Sequence, residues 1–404
     1  MRRIFCAICL LALLAGCAPA GSAAPLAENE SSAVAEPLAL VNQSTNGIGY
    51  FSLYYDSNSS NPGTLLTRWD FGDMTMHIVC SAPNCDHTSE TCEARSNGYP
   101  LVVLEDAIYT LEYAPDLELY PLMVRDADGT HPRQVGALAY WFFVGADAEY
   151  LYGFCDGAFG RVSRTNGTET FLAHGLQDDF FTSGKVLGIW QDRFVAINWD
   201  ISSEQPARIC LLDRSGDVTE IAQVDPTHFC YPMCILIENE VMYLDRPTGD
   251  IVAIHLETGE TRTVTQALRS YNALETQDFY KTQRWYLQNV QDHPIVEVTD
   301  FVNDSLQETV FCVNEDGSVS ELPQRQEMRG FDEQLYKDYY NTKDAPLTVL
   351  AEWDDQLVVN CAVQFSTIDT VDGPVMNPQS VYAVMDAEDY LVGKEIYREF
   401  TVPD

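Results

Sequence analysis

Ile251-Val252-Ala253-Ile254-His255-Leu256, then Glu257-Thr258-Gly259-Glu260, then Thr261-Arg262-Thr263-Val264: an apolar run, a polar turn carrying a glycine, and an alternating run. The first run is rich in β-branched residues and too short for a helix, and the last repeats with period two, so both read as strands. The glycine between them supplies the positive φ that a tight hairpin needs. The same unit recurs along the chain, at Asp70-Phe71-Gly72-Asp73, Asp126-Ala127-Asp128-Gly129-Thr130, Arg164-Thr165-Asn166-Gly167-Thr168, Asp213-Arg214-Ser215-Gly216-Asp217 and Asn314-Glu315-Asp316-Gly317-Ser318. A second recurrent half precedes it, in which a polar turn feeds an apolar strand: Glu105-Asp106-Ala107-Ile108-Tyr109, Asp147-Ala148-Glu149-Tyr150-Leu151-Tyr152, Gln191-Asp192-Arg193-Phe194-Val195, Glu238-Asn239-Glu240-Val241-Met242-Tyr243 and Trp353-Asp354-Asp355-Gln356-Leu357-Val358.

The turn glycines are separated by 57, 38, 49, 43 and 58 residues, an irregular interval of about one propeller blade. With 380–385 as the last unit, the pattern predicts an all-β propeller of about seven blades, six being the alternative, over residues 44–404. The longer gaps predict insertions, and the charge and aromatic spacing of 267–280 and 327–340 predicts two short helices. The six tryptophans, 69, 141, 190, 199, 285 and 353, fall in or beside strands and are expected to pack between blades.

Composition narrows the function. Among 404 residues there are 61 Asp and Glu against 23 Lys and Arg, a formal charge of -38, which excludes a phosphate-tracking nucleic-acid binder. Hydrophobic residues make up 46%, enough for a sizeable core and far from a disordered composition.

Residues 1–16 carry a basic start, Met1-Arg2-Arg3, and an apolar stretch, 4–15, the organisation of an export signal. The segment Leu14-Ala15-Gly16-Cys17 resembles the lipobox of bacterial lipoproteins, which implies lipidation of Cys17, a membrane partner reached through that lipid, and a location on the outer face of the cell membrane. Residues 17–43, rich in Ala, Pro, Ser and Glu, then read as a flexible tether with a reach of about 30 Å.

Twelve cysteines are present. Cys155, Cys210, Cys312 and Cys361 sit in apolar runs and are expected to be small buried hydrophobes. Cys230 and Cys234, in Cys230-Tyr231-Pro232-Met233-Cys234, are candidates for a local disulfide or for two buried thiols. The segment Cys80-Ser81-Ala82-Pro83-Asn84-Cys85-Asp86-His87-Thr88-Ser89-Glu90-Thr91-Cys92 places three thiols and an imidazole within thirteen residues. Three readings are open for Cys80, Cys85, His87 and Cys92: a structural disulfide, a structural zinc site of Cys3His type, or a reactive thiol. Only the second uses His87.

In its strand–turn–strand unit and its early Cys/His segment, the chain resembles the extracytoplasmic propeller-like lipoproteins of Firmicutes, including those with a domain of unknown function related to TolB-type propellers. That resemblance implies a propeller fold and an envelope location, and no reaction. No Gly-x-Ser-x-Gly, His-Glu-x-x-His, Walker or Gly-x-Gly-x-x-Gly motif occurs, and Asp126-Ala127-Asp128-Gly129 lacks the later ligands of a calcium loop. No catalytic residue is therefore assigned. The sequence favours a non-enzymatic monomer that binds or displays a protein, peptide or glycan outside the cell. The alternative is a glycan hydrolase or lyase using two channel carboxylates.

Overall fold

The computed structural model describes residues 37–41, 44–56, 63–112, 118–156, 158–173, 185–198, 205–229, 233–271, 284–302, 305–330, 345–370 and 373–403. The predicted export signal, Cys17 and most of the predicted tether lie outside these residues. Pro37–Asp404 forms one unit, an almost all-β propeller of seven antiparallel sheets.

Blade 1 comprises Gly49–Asp56, Gly63–Asp70 and Thr75–Ile78. Blade 2 holds Gly98–Val103, Ala107–Glu112, Tyr120–Asp126 and Arg133–Leu138, and blade 3 holds Phe142–Ala146, Tyr150–Cys155, Ala158–Ser163 and Glu169–Ala173. Blade 4 is Lys185–Trp190, Arg193–Asn198, Ala207–Leu212 and Val218–Val224, and blade 5 is Cys234–Ile237, Glu240–Asp245, Asp250–His255 and Thr261–Thr265. Blade 6 is Arg284–Val290, His293–Val302, Ser305–Val313 and Val319–Leu322. Blade 7 is Thr348–Trp353, Gln356–Thr370, Gly373–Asp386 and Tyr397–Glu399, with Glu327–Arg329 added in parallel to its second strand.

Strand alternation explains the assembly. In Arg193–Asn198, Val195 and Ile197 pack into a core shared with blade 5, while Phe194 and Ala196 pack into one shared with blade 3. Both faces of a middle strand are thus apolar, which is why these strands read as near-continuous hydrophobic runs. Seven such cores succeed one another around the ring, between blades 2 and 3, 3 and 4, 4 and 5, 5 and 6, 6 and 7, 7 and 1, and 1 and 2. The last strands of blades 2 to 6 are mostly exposed and form the rim, while the first strands of neighbouring blades approach one another at the centre.

Two terminal segments fasten the ring. Residues 37–41 pair with the first strand of blade 3, Ala39 opposite Ala146 and Leu40 opposite Gly145, which adds a strand ahead of residue 44, the predicted start of the propeller. Gly145 is required here, because a Cβ would sit 2.4 Å from Phe194 Cε1 and 3.0 Å from the Ala39 carbonyl. At the other end, the chain leaves the outer strand of blade 7 and reaches blade 1. There the Thr401 N–H donates to the Met74 carbonyl (2.8 Å) and the Met76 N–H to the Thr401 carbonyl (2.8 Å).

Five of the six quoted turn glycines have positive φ, from +67° at Gly167 to +91° at Gly216. Gly72 does not: in that turn the left-handed residue is Met74, and Asp70 Oδ1 accepts the N–H groups of Gly72 and Asp73. The predicted helices are corrected where they are described. Of residues 267–280, the described 267–271 contain the 3-10 turn Arg269–Tyr271, and of 327–340 the described Glu327–Arg329 is a strand, because its backbone finds an open edge beside Ala362–Gln364. Trp69, Trp141 and Trp285 are buried as expected, whereas Trp353 is partly exposed and stacks on Phe71 at 5.2 Å; Trp199 lies outside the described residues.

Phe194→Ala, which empties a fully buried position against Tyr152 and Phe159, is expected to cost about 3–5 kcal/mol in urea unfolding. Thr401→Pro, which removes one closing hydrogen bond, is expected to cost about 1–3 kcal/mol by the same measurement.

Candidate metal centre

The Cys/His segment is an excursion from the edge of blade 1. Thr75–Ile78 pairs with residues 67–70 of the neighbouring strand; the chain then leaves the sheet and returns at Ala94–Ser96 to pair with residues 64–66 of the same strand. The return is fixed by Leu66 N–H donating to the Ala94 carbonyl (2.7 Å) and Ser96 N–H to the Thr64 carbonyl (3.1 Å). Everything between folds over Leu65 and Ala94, against which Cys80, Cys85 and Cys92 pack.

Short-range turns set the ligand positions. The N–H of Cys85 donates to the Ala82 carbonyl and that of Cys92 to the Ser89 carbonyl, while Asn84 and His87 both take left-handed φ of 59°. These two reversals turn the chain so that the sulfurs of Cys80, Cys85 and Cys92 and one His87 ring nitrogen all lie within 4.8 Å of one another. The Cys85 and Cys92 sulfurs are 3.7 Å apart, and His87 Nδ1 is 3.4 Å from the Cys92 sulfur. Three sulfurs and one ring nitrogen within 4.8 Å of one another are a donor set of the kind that a tetrahedral zinc site uses.

The surroundings are polar where the loop is pinned and cationic beneath it. Glu93 accepts from both the N–H (3.0 Å) and hydroxyl (2.6 Å) of Ser81, clamping the two ends of the excursion together and drawing its own carboxyl below the usual range. Arg125 is buried at 2% exposure, and its Nη1 donates to the Glu93 carbonyl at 2.5 Å. Burial pulls its guanidinium below the ordinary value, opposed by Glu112, Glu93, Cys92 and Cys80. Arg95 Nη2 donates to the His87 and Thr88 carbonyls, each at 3.2 Å. The Cys85 thiol is drawn down chiefly by the His87 N–H donated to its sulfur at 3.4 Å, whereas burial pushes Cys92 up to about 11. Sequence reading found the four donors and missed Arg95 and Arg125. A lone arginine inside the otherwise apolar Tyr120–Asp126 strand is the signal that would have found the second.

The remaining candidates separate cleanly. Cys155, Cys210, Cys312 and Cys361 are buried thiols and Cys234 is buried, while Cys230 lies outside the described residues. Asp70, Asp73 and His77 also converge, but on an exposed turn where the Asp70 and Asp73 carboxylates accept backbone N–H groups and His77 Nε2 meets Asp73 at 2.9 Å. The other described histidines bind separate local partners: Asp126 for His131, Asp245 for His228, Asn239 for His255 and the Gln291 carbonyl for His293.

For the two-carboxylate alternative, the acidic residues of the central strands are the candidates. The first strands of blades 2 to 7 carry a single carboxylate, Glu352, half-buried and held above the usual carboxyl range by burial. Glu297 and Glu308 form a diagonal cross-strand pair, but in blade 6 on the face that packs against blade 7, where burial raises both and Glu308 further raises Glu297.

No family model matches the chain, and no curated protein matches it. Among solved structures it is similar to a protein from Lactobacillus plantarum, 13% identical with a TM-score of 0.43, over 92% of this chain and 97% of that one. It is also similar to an oligogalacturonate lyase from Vibrio parahaemolyticus, 10% identical with a TM-score of 0.42, over 91% of this chain and 86% of that one. At these values no activity transfers from either, and the lipoprotein resemblance rests on sequence motifs alone.

Arg125→Ala is expected to lower stability by about 2 kcal/mol in urea unfolding, since the Glu93 carbonyl loses its charged donor. Glu297→Gln is expected to act in the opposite sense. A carboxyl raised in the folded state destabilises that state as pH climbs from the unfolded value through the folded one, so the variant melts higher at pH 7 and its advantage shrinks toward pH 4.

Proposed function

We propose that the chain is a lipid-anchored, extracytoplasmic propeller that binds a protein, peptide or glycan partner through the face opposite its glycine turns, without transforming it. The observation that carries this reading is an aromatic ledge across blades 2 and 3. Tyr140 and Phe142 stand at the opening of the first strand of blade 3, Leu119 and Tyr120 at the opening of the third strand of blade 2, and Phe171 in the outer strand of blade 3. Register aligns them at one end: Phe142 lies opposite Phe154, Phe154 opposite Phe159, Gly160 opposite Phe171, and Tyr120 opposite Leu138.

Tyr140, Phe142 and Phe171 are 49%, 47% and 42% exposed. Beneath them the buried Trp141 stacks on Phe171 at 5.5 Å, and its Nε1–H donates to Glu169 at 2.6 Å. A fixed aromatic surface loses little side-chain entropy on binding and offers apolar area to a sugar face or an apolar peptide side chain. Among the described first strands of blades 2 to 7 the one carboxylate is Glu352, and Asp56 ends that of blade 1. Export and anchoring belong to the same proposal and rest on residues 1–17.

Glycan and peptide arrays probed with the full chain are expected to give a discrete set of ligands, with the Tyr140→Ala/Phe142→Ala variant binding at least about tenfold more weakly while unfolding normally. Release of reducing ends or unsaturated products from a bound glycan would overturn the reading. Mass analysis of the N-terminal peptide is expected to show acylated Cys17, and Cys17→Ser should leave the protein out of the membrane fraction.

A further inference from the structure

We propose that Cys80, Cys85, His87 and Cys92 hold one structural zinc ion, through three sulfurs and the Nδ1 of His87, and that this ion is what closes the outer edge of blade 1.

Three independent observations lead there. The first is distance. Zinc–sulfur bonds of about 2.3 Å in a tetrahedron put sulfurs about 3.8 Å apart, and a zinc–nitrogen bond of about 2.0 Å puts nitrogen and sulfur about 3.5 Å apart. The structure has 3.7 Å between the Cys85 and Cys92 sulfurs and 3.4 Å between His87 Nδ1 and the Cys92 sulfur. A disulfide requires about 2.05 Å, and joining any two of the three thiols would leave the third and the imidazole without a role.

The second is charge. Three thiolates, a neutral imidazole and Zn2+ sum to one negative charge, and the three thiol protons leave to solvent when the ion binds. Arg125 of blade 2, buried, and Arg95 at the loop's return place positive charge against the ligand segment, donating to the carbonyls of Glu93 and of His87 and Thr88. Outer contacts that fix the loop carrying the ligands are a regular feature of metal sites. Soft thiolate donors in tetrahedral arrangement select zinc over calcium or magnesium.

The third is mechanical need. Val79 is the last residue to pair with the sheet before Ala94, and between residues 80 and 93 the chain rests on one small apolar set, Leu65, Cys92 and Ala94 with Ile78, Cys80 and Cys85 beside them. Beside it, Met74 and Met76 make the bonds to Thr401 that close the ring. A metal that joins residues 80, 85, 87 and 92 fixes this strand's exit and return at a single point.

The inference is independent of the binding function proposed above. To test it, the full chain is purified in detergent without chelator, its metal content measured by plasma mass spectrometry, and the ion replaced by Co2+. About one zinc per chain is expected, and the cobalt form should show thiolate-to-metal charge transfer with tetrahedral ligand-field bands. His87→Ala should lose the ion and His87→Cys should regain it, with circular dichroism reporting that both remain folded. Cys92→Ser should also lose it, and Cys234→Ser should not. Metal-free protein with Cys85 joined to Cys92 in non-reducing peptide mapping would overturn the proposal. So would zinc retained at full occupancy in His87→Ala and Cys92→Ser together.

Discussion

Burial of both faces of every middle strand is the constraint on which the rest of this protein depends. A strand such as Arg193–Asn198 has no face to give to water: Val195 and Ile197 need one neighbour, and Phe194 and Ala196 need another. A stack of such sheets is unstable at either end, and closing it into a ring removes the ends. Closure therefore falls to whatever lies at the termini. Here it is done by Thr401 reaching Met74 and Met76, and by Trp69, Phe71 and Phe400 filling the core between blades 7 and 1.

The acidity of the chain is compatible with that ring because much of it is spent locally. Asp128, Asp213 and Asp316 each accept N–H and hydroxyl groups within their own hairpin turns, which hold their carboxyls below the usual range. Arginines then join blade to blade on the glycine-turn face: Arg164 binds Asp106 at 2.5 Å and donates to the Tyr109 hydroxyl, and Arg214 binds Asp147 at 2.9 Å as well as Asp192. The face with the glycine turns is thus committed to structure. The aromatic ledge lies on the opposite face, away from these ion pairs.

Blade 1 departs from its neighbours, and the departure is concentrated in one loop. Its outer edge is interrupted by the excursion that carries Cys80, Cys85, His87 and Cys92, and the interruption is adjacent to the closing bonds of the ring. The proposed zinc ion would tie the exit and return of this edge together beside those bonds. That is a physical reason for three thiols and an imidazole to be gathered at a rim position, far from the central strands.

The recurrence of apolar run, glycine turn and alternating run determined the all-β propeller and the near-seven repeat, because period-two patterning and positive-φ turns are local properties written residue by residue. The Cys/His cluster was legible as a candidate for the same reason, Cys80, Cys85, His87 and Cys92 lying within thirteen residues. What tertiary structure decided is non-local. Gly72 yields its turn to Met74, Glu327–Arg329 becomes a strand because an edge was open to it, and residues 37–41 join blade 3 across more than a hundred positions of chain. Arg125 comes to support the Cys/His loop, and Tyr140, Phe142 and Phe171 come to share one end of a blade, only through register between strands. Such contacts follow from which edges and faces remain unburied once the ring has formed, and no local pattern encodes that remainder.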